Sequence, residues 1–341
     1  MNPTERRALG STDVTVTTLG FGGASVGELF VRVPELDARN AIRAAWDAGV
    51  RYFDTAPWYG RGLSELRIGA GLRGEPRDAF VLSSKIGRWL RAPHNPDTFS
   101  TAPWLGGNPN EVVFDYSYDG IMRGFEQSQQ RLGVIRLDIA WVHDLDHLYH
   151  GTGEKLAFHL GQLAASGWRA VEELKAAGLI RAVGAGINDR GVIPRFLDLV
   201  PVDAFLVAMP YTLLDQAVLD DEFPACERRG IGFVIGSPYA SGILAKGDTP
   251  DAKYAYAPAL AEVRTRVRGI ADACARHGVP LAAAALQFPL GHPAVAAVIP
   301  GASSQAQVER NVAAFNHPIP TDLWAELKHD GLLREDAPVP A

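Results

Sequence analysis

VRYFDTAPWYGRGLSELRIGAGL, residues 50–72, carries an apolar run into an acid, a turn and then an amphipathic segment. Residues 52–55 read as a strand and 64–72 as a helix. Pro57, Gly60 and Gly62 mark the turn between them. A strand closing on Asp54, followed by a turn presenting Tyr59, is either an ordinary βα connection or the rim of a site. The same rhythm extends in both directions. Further strand-like runs lie at 17–22, 80–86, 138–144, 182–187, 204–210, 232–238 and 294–300. Helix-period segments lie at 36–48, 118–132, 168–177, 192–199, 222–229, 260–276 and 305–315. Eight βα units predict an α/β fold, a (β/α)8 TIM barrel. A doubly wound sheet competes, but polar residues gather at many strand ends rather than in one glycine-rich turn. The stretch GFGGAS, 20–25, has Ser25 where a dinucleotide fingerprint needs its third glycine, and no acid sits on a following strand.

The opening RALGSTDVTV, 7–16, turns at Gly10-Ser11 and predicts an N-terminal β-hairpin across the barrel floor. No linker, low-complexity run or repeat divides the chain, so 1–341 is expected to be a single domain. Residues 87–117, after the third strand, form a long loop holding Trp89, Trp104, Phe114 and Tyr116. Loops of that length are usually functional or disordered. Such aromatics at a strand's C-terminal end predict a cover over the substrate.

The 341 residues are 47% hydrophobic, with 33 basic against 39 acidic side chains and a net charge of −6. That balance argues against nucleic acid or an anionic membrane as partner. No apolar run spans a bilayer, and the N-terminal MNPTERRALG lacks an apolar signal core, so a cytoplasmic location is expected. Cys226 and Cys274 lack metal or redox spacing and read as reduced thiols.

Asp54, Tyr59, Lys85 and His143 fall at consecutive strand ends, which a barrel makes neighbours on one rim. Lys85 follows an apolar run, where a lone ammonium is costly to bury; Asp54 is its natural partner. A lysine beside a tyrosine stabilises the phenolate, as an acid/base tyrosine working near neutral pH requires. The run HDLDHLYH, 143–150, superficially resembles a metal site, but a strand end does not align its histidines, and no metal is expected.

RALGSTDVTVTTLGFGG, FDTAPWYG followed by SE, SSKIG, WVHD and VIPGASSQAQVERN together resemble the aldo-keto reductase superfamily over nearly the whole chain. The resemblance implies a nicotinamide-dependent oxidoreductase. It makes Tyr59 the proton donor and acceptor, Lys85 and Asp54 its supports, and His143 the orienter of the substrate oxygen. The cofactor is expected against Gly22, Gly23, Asp54 and Asn188. It continues along Ser237, Pro238, Ser241, Gly242 and Ile243, then Pro300, Gly301, Ser303, Gln307 and Asn311. NADP-preferring relatives carry a lysine and an arginine where Gly301 and Gln307 stand, so NAD is preferred over NADP. Trp58 and Trp89 are expected to wall the substrate with Tyr59 and His143. VFDYSYDGIMR, WVHDLD and GAGIND carry a finer resemblance to NAD(P)-dependent aldose 1-dehydrogenases, which act on sugars such as L-fucose, D-arabinose or L-galactose. Pyridoxal 4-dehydrogenases share that branch. The expected reaction is oxidation of a sugar's cyclic hemiacetal to a lactone. Pyridoxal as substrate and a non-catalytic nicotinamide-binding redox sensor are the alternatives, with the oligomeric state open.

Overall fold

The computed structural model describes residues 1–255 and 257–341. Eight parallel strands form the sheet: β1 Phe21–Gly22, β2 Tyr52–Asp54, β3 Val81–Ile86, β4 Ile139–His143, β5 Ala182–Ile187, β6 Ala204–Val207, β7 Gly232–Ile235 and β8 Val295–Val298. Each pairs with its sequence neighbour. Bridges Leu19↔Val298 and Gly22↔Gly301 join the first strand to the last and close a (β/α)8 barrel.

The strand positions are buried, because helices cover the outer face of a parallel sheet and packed side chains fill the inner one. Tyr52, Val81, Ile139, Trp141, Leu206 and Val234 belong to the interior cluster. Leu9, Val14 and Val16 join them from the expected N-terminal hairpin, whose strands Arg6–Ala8 and Thr15–Thr17 pair antiparallel. That hairpin plugs the floor, so the open end is the rim at the strand C-termini.

The helices α1 Glu35–Asp47, α2 Leu63–Leu72, α3 Tyr118–Leu132, α4 Trp168–Ala176, α5 Ile193–Leu199, α6 Glu222–Glu227, α7 Ala261–Arg276 and α8 Gln305–Asn316 complete the βα units.

The sequence-based expectations need four corrections. Thr17 belongs to the floor hairpin, and the first barrel strand begins at Phe21. Strands expected to reach 210, 238 and 300 stop at Val207, Ile235 and Val298; the polar residues that follow leave the ladder at the rim. Residues 87–117 are not one irregular loop, since Arg88–Arg91 pairs antiparallel with Glu111–Phe114. Helices at Gly153–Gln162, Leu281–Gln287 and Thr321–His329 were not expected. Leu281–Gln287 reads LAAAALQ, apolar almost all round, and so offers no amphipathic period. Cys226 and Cys274 are free and buried, and no described helix is long and apolar enough to cross a membrane.

Candidate active site

Asp54 ends β2, opposite Gly22 of β1 and Ser83 of β3. Lys85 lies two positions further along β3, and both are 1% exposed. The Lys85 ammonium donates to Asp54 Oδ1 at 2.8 Å, Asp54 Oδ2 at 2.7 Å and the Thr55 carbonyl at 2.8 Å. Ser83 Oγ donates to the same carboxylate at 2.6 Å. Burial raises the Asp54 carboxyl above its usual range, and the Lys85 charge opposes that rise.

Tyr59 follows Asp54 through a tight turn. Gly60, Arg61 and Gly62 all have positive φ, of 62°, 53° and 96°. Arg61 is the one of the three with a Cβ, so its left-handed backbone is strained. Its guanidinium donates to the carbonyls of Ser100, Thr101 and Asn110. Those bonds fasten the 92–110 connection to the turn that carries Tyr59. The Tyr59 ring centre lies 5.1 Å from Lys85 Nζ and 5.9 Å from the His143 ring centre. The four predicted residues therefore meet on one rim.

His143 closes β4. Its Nε2 lies 3.2 Å from Asp144 Oδ2, and its Nδ1 is buried without a partner. Burial, then the charges of Arg88 and Lys85, hold it well below the usual imidazole range. The imidazole is therefore neutral, and its contact with Asp144 is not an ion pair. Asp144 accepts from Arg88 Nη2 at 2.6 Å and Asn188 Nδ2 at 2.8 Å.

These groups open on a cavity of about 770 Å³. Of the residues expected to meet the cofactor, Gly22, Gly23, Asp54, Asn188, Ser237 and Pro238 line it. So do Ser241, Gly242, Pro300, Gly301, Gln307 and Asn311. Ile243 and Ser303 do not: Ile243 is core, and Ser303 donates through its backbone N–H and hydroxyl to Gln307 Oε1. Both Nδ2 protons of Asn188 go to Asp144 and Asp146, leaving only its carbonyl oxygen to receive a nicotinamide amide. Trp58 lines the cavity and Trp89 does not; the Trp89 ring lies under the Arg123 guanidinium, 4.5 Å away. Trp104 takes its place, packed against Trp58 and Tyr59 at 5.5 and 5.8 Å between ring centres.

The cavity wall also carries Asp144 and Tyr149, from the run 143–150 read as polar loop residues near the substrate, and Lys246, Lys253 and Arg310, which sequence reasoning missed. Asp144 adjoins His143 in sequence, the one available signal. Nothing in the sequence sets the three cations apart. Among the described residues no group of three or more His, Cys, Asp or Glu is placed to hold a metal.

An elongated dinucleotide fits this cavity. A Cβ on Gly242, at φ +98°, would meet nothing within 4 Å and would stand in open space. Glycines 22, 236 and 301 also line the cavity, where a Cβ would instead meet Ile299, Leu206 and Ser25 of the protein itself, and Ser237 and Ser241 supply hydroxyls.

The aldo/keto reductase family model matches residues 18–329. The pyridoxal 4-dehydrogenase of Microbacterium luteolum is 41% identical, over 98% of this chain and 99% of that one. A D-threo-aldose 1-dehydrogenase from a Pseudomonas species is 37% identical over 98% and 99%. Among solved structures, the holo form of an aldo-keto reductase from Bacillus halodurans superposes with a TM-score of 0.74 at 26% identity, covering 99% of this chain and 98% of the other.

Proposed function

The chain belongs to the aldo/keto reductase family and is an oxidoreductase; on that premise we propose that it oxidises the anomeric carbon of an aldose hemiacetal to a lactone, with NAD as the preferred acceptor. The observation that carries the reading is the buried Asp54–Lys85 pair held beside Tyr59 on the rim, with neutral His143 opposite. A bound nicotinamide supplies the hydride acceptor. Tyr59, as phenolate, accepts the proton of the anomeric hydroxyl as the C1 hydride departs. The Lys85 charge favours that phenolate. His143 orients the reacting oxygen, and its neutrality keeps a second proton source out of the site. Trp58, Trp104 and Tyr149 flank the substrate and exclude water. The whole chain, 1–341, works as one barrel domain in this reading.

A second substrate reading has its own support. Three aromatic walls suit a pyridine ring as well as a sugar's C–H face, and the relative named for pyridoxal is 41% identical. Pyridoxal also forms a cyclic hemiacetal that oxidises to a lactone, so the rim residues serve both. NAD is preferred because Gly301 and Gln307 offer no charge to a 2′-phosphate; Lys246, Lys253 and Arg310 on the wall are the cations that would serve NADP instead. The test is a screen of L-fucose, D-arabinose, L-galactose and pyridoxal with each cofactor. Turnover of an aldose with higher kcat/KM for NAD supports the proposal. Turnover of pyridoxal alone replaces its substrate, and NADH binding without any turnover replaces it with a sensor.

A further inference from the structure

Asp144 is used by nothing in the mechanism above, yet its carboxylate lies on the cavity wall beside His143. It is 6% exposed and hydrogen-bonded from two sides, with His143 in contact. Arg88 Nη2 and His143 Nε2 meet Oδ2, and Asn188 Nδ2 meets Oδ1. An ionised carboxylate offers about four acceptor positions, so the two donors Arg88 and Asn188, one on each oxygen, leave acceptor capacity for a further hydroxyl. The backbone of Asp144 is left-handed, at φ 46°, a strained state for a residue with a Cβ and one that concentrates at functional sites.

A counter-ion for Arg88 alone would explain the ion pair, but not the wall position. Arg88 itself is 1% exposed and does not line the cavity. It lies behind Asp144, between the rings of Phe114 and Tyr149 at 4.4 Å each. The cation cancels most of the carboxylate's charge, and Asp144, unlike Arg88, lines the cavity. That arrangement suits a neutral hydroxyl donor and disfavours an anion.

We propose that Asp144 is a specificity-determining residue that accepts a hydrogen bond from the hydroxyl on the carbon next to the reacting carbon, so that the site selects 2-hydroxylated hemiacetals. The proposal rests on the hemiacetal-oxidation reading. With the anomeric oxygen shared by Tyr59 and His143, the hydroxyl of the adjacent carbon falls on the His143 side, where Asp144 stands. In pyridoxal the carbon next to the reacting carbon bears no hydroxyl; the phenolic oxygen is one carbon further away and ionises readily, and the carboxylate repels it.

The experiment compares D-arabinose with 2-deoxy-D-ribose, which is D-arabinose lacking its C2 hydroxyl. A site built to bond a hydroxyl rejects the analogue without it strongly, so the wild type is expected to favour D-arabinose by roughly a hundredfold or more in kcat/KM. In Asp144→Asn that ratio is expected to fall at least tenfold. Any effect of Asp144 on His143 acts on both sugars alike and cancels in the ratio, which separates specificity from positioning. Melting temperature and NADH affinity report whether the variant is folded; if it is not, the wild-type ratio decides alone. A wild-type ratio near one, or a ratio unmoved in a folded variant, overturns the assignment while leaving aldose oxidation intact. Oxidation of pyridoxal with neither pentose turned over overturns the aldose reading itself, and the assignment with it.

Discussion

Lys85 stands 5.1 Å from the centre of the Tyr59 ring while giving its three ammonium protons to Asp54 and Thr55. It therefore acts on Tyr59 through its field, and its position is fixed by the pair behind it. A positioned acid/base group contributes about a hundredfold to ten-thousandfold in rate. Tyr59→Phe is expected to lower kcat by at least that lower figure while NADH binding, read by quenching of indole fluorescence, stays intact. Lys85→Met removes the cation that favours phenolate, so the rising limb of the pH–rate profile should move to higher pH. Undiminished turnover in Tyr59→Phe would sink the assignment.

Asp146 supplies a pH dependence with a determined sign. Its side chain caps the short helix His147–His150, accepting from the Tyr149 N–H, and receives the Asn188 backbone N–H and Nδ2. Burial, then the Asp144 charge, push its carboxyl up to about 7. The folded protein thus holds a proton on Asp146 from the ordinary carboxylate range up to about 7, where the unfolded chain has released it. Stability must fall as pH rises through that window. His143 and His150 work the other way. Burial holds both below 6.5 when folded, so they remove stability as pH falls below 6.5. Asp146→Asn cannot titrate, and both proteins keep the histidines. The melting temperature of the variant minus that of the wild type should grow from pH 5 to pH 8; a flat or shrinking difference contradicts the Asp146 shift.

The barrel was legible because buried parallel strands appear as short apolar runs ending in polar residues, and β3 and β4 differ from their expected bounds by one residue at most at either end. The start of β1 was not, because the floor hairpin and β1 are both β-branched or apolar and only the closing bridges separate them. Around the site, Asp54, Tyr59, Lys85 and His143 stood out as polar residues at strand ends. Trp89 and Trp104 could not be told apart from sequence. Adjacent strand residues face opposite ways. Arg88 takes the inward face of its strand, sending Trp89 outward. Nothing in the sequence marks Arg61 and Arg88 as buried. Their burial follows from carbonyls and a carboxylate contributed by distant segments.

Cofactor choice turns on the start of α8. Gln307 lines the cavity, and its carbonyl oxygen is folded back onto the Ser303 N–H and hydroxyl. It presents no charge to a ribose 2′-phosphate. Arginine there would supply a planar, permanently charged fork suited to phosphate. Gln307→Arg is expected to raise kcat/KM for NADP about tenfold or more relative to NAD. If the wild type already prefers NADP, and Arg310→Ala abolishes that preference, the phosphate is held by Arg310 and the proposed NAD preference is wrong.

Arg61 links the turn that carries Tyr59 to the segment that carries Trp104. Its guanidinium reaches Ser100 and Thr101 before Trp104 and Asn110 after it. Asn110 Nδ2 returns a bond to the Arg61 carbonyl, and the Asn108 N–H donates to that of Gly60. With the aromatic contacts to Trp58 and Phe99, this holds the base of the segment whose Trp104 packs on Tyr59. Three carbonyls satisfy a guanidinium that burial disfavours, and alanine would remove all three bonds while relaxing no neighbour into their place. Arg61→Ala should therefore raise KM for the hemiacetal about tenfold and lower kcat, since Trp104 no longer closes the wall over the reacting carbon. Affinity for NADH should change by less than about twofold, because the segments expected to hold the cofactor, after β7 and β8, make none of the Arg61 side-chain contacts. Lysine at 61, with the charge but not the planar fork, should restore part of the KM defect. Equal losses in cofactor and substrate affinity would instead mark Arg61 as a support of the whole rim rather than of the substrate cover.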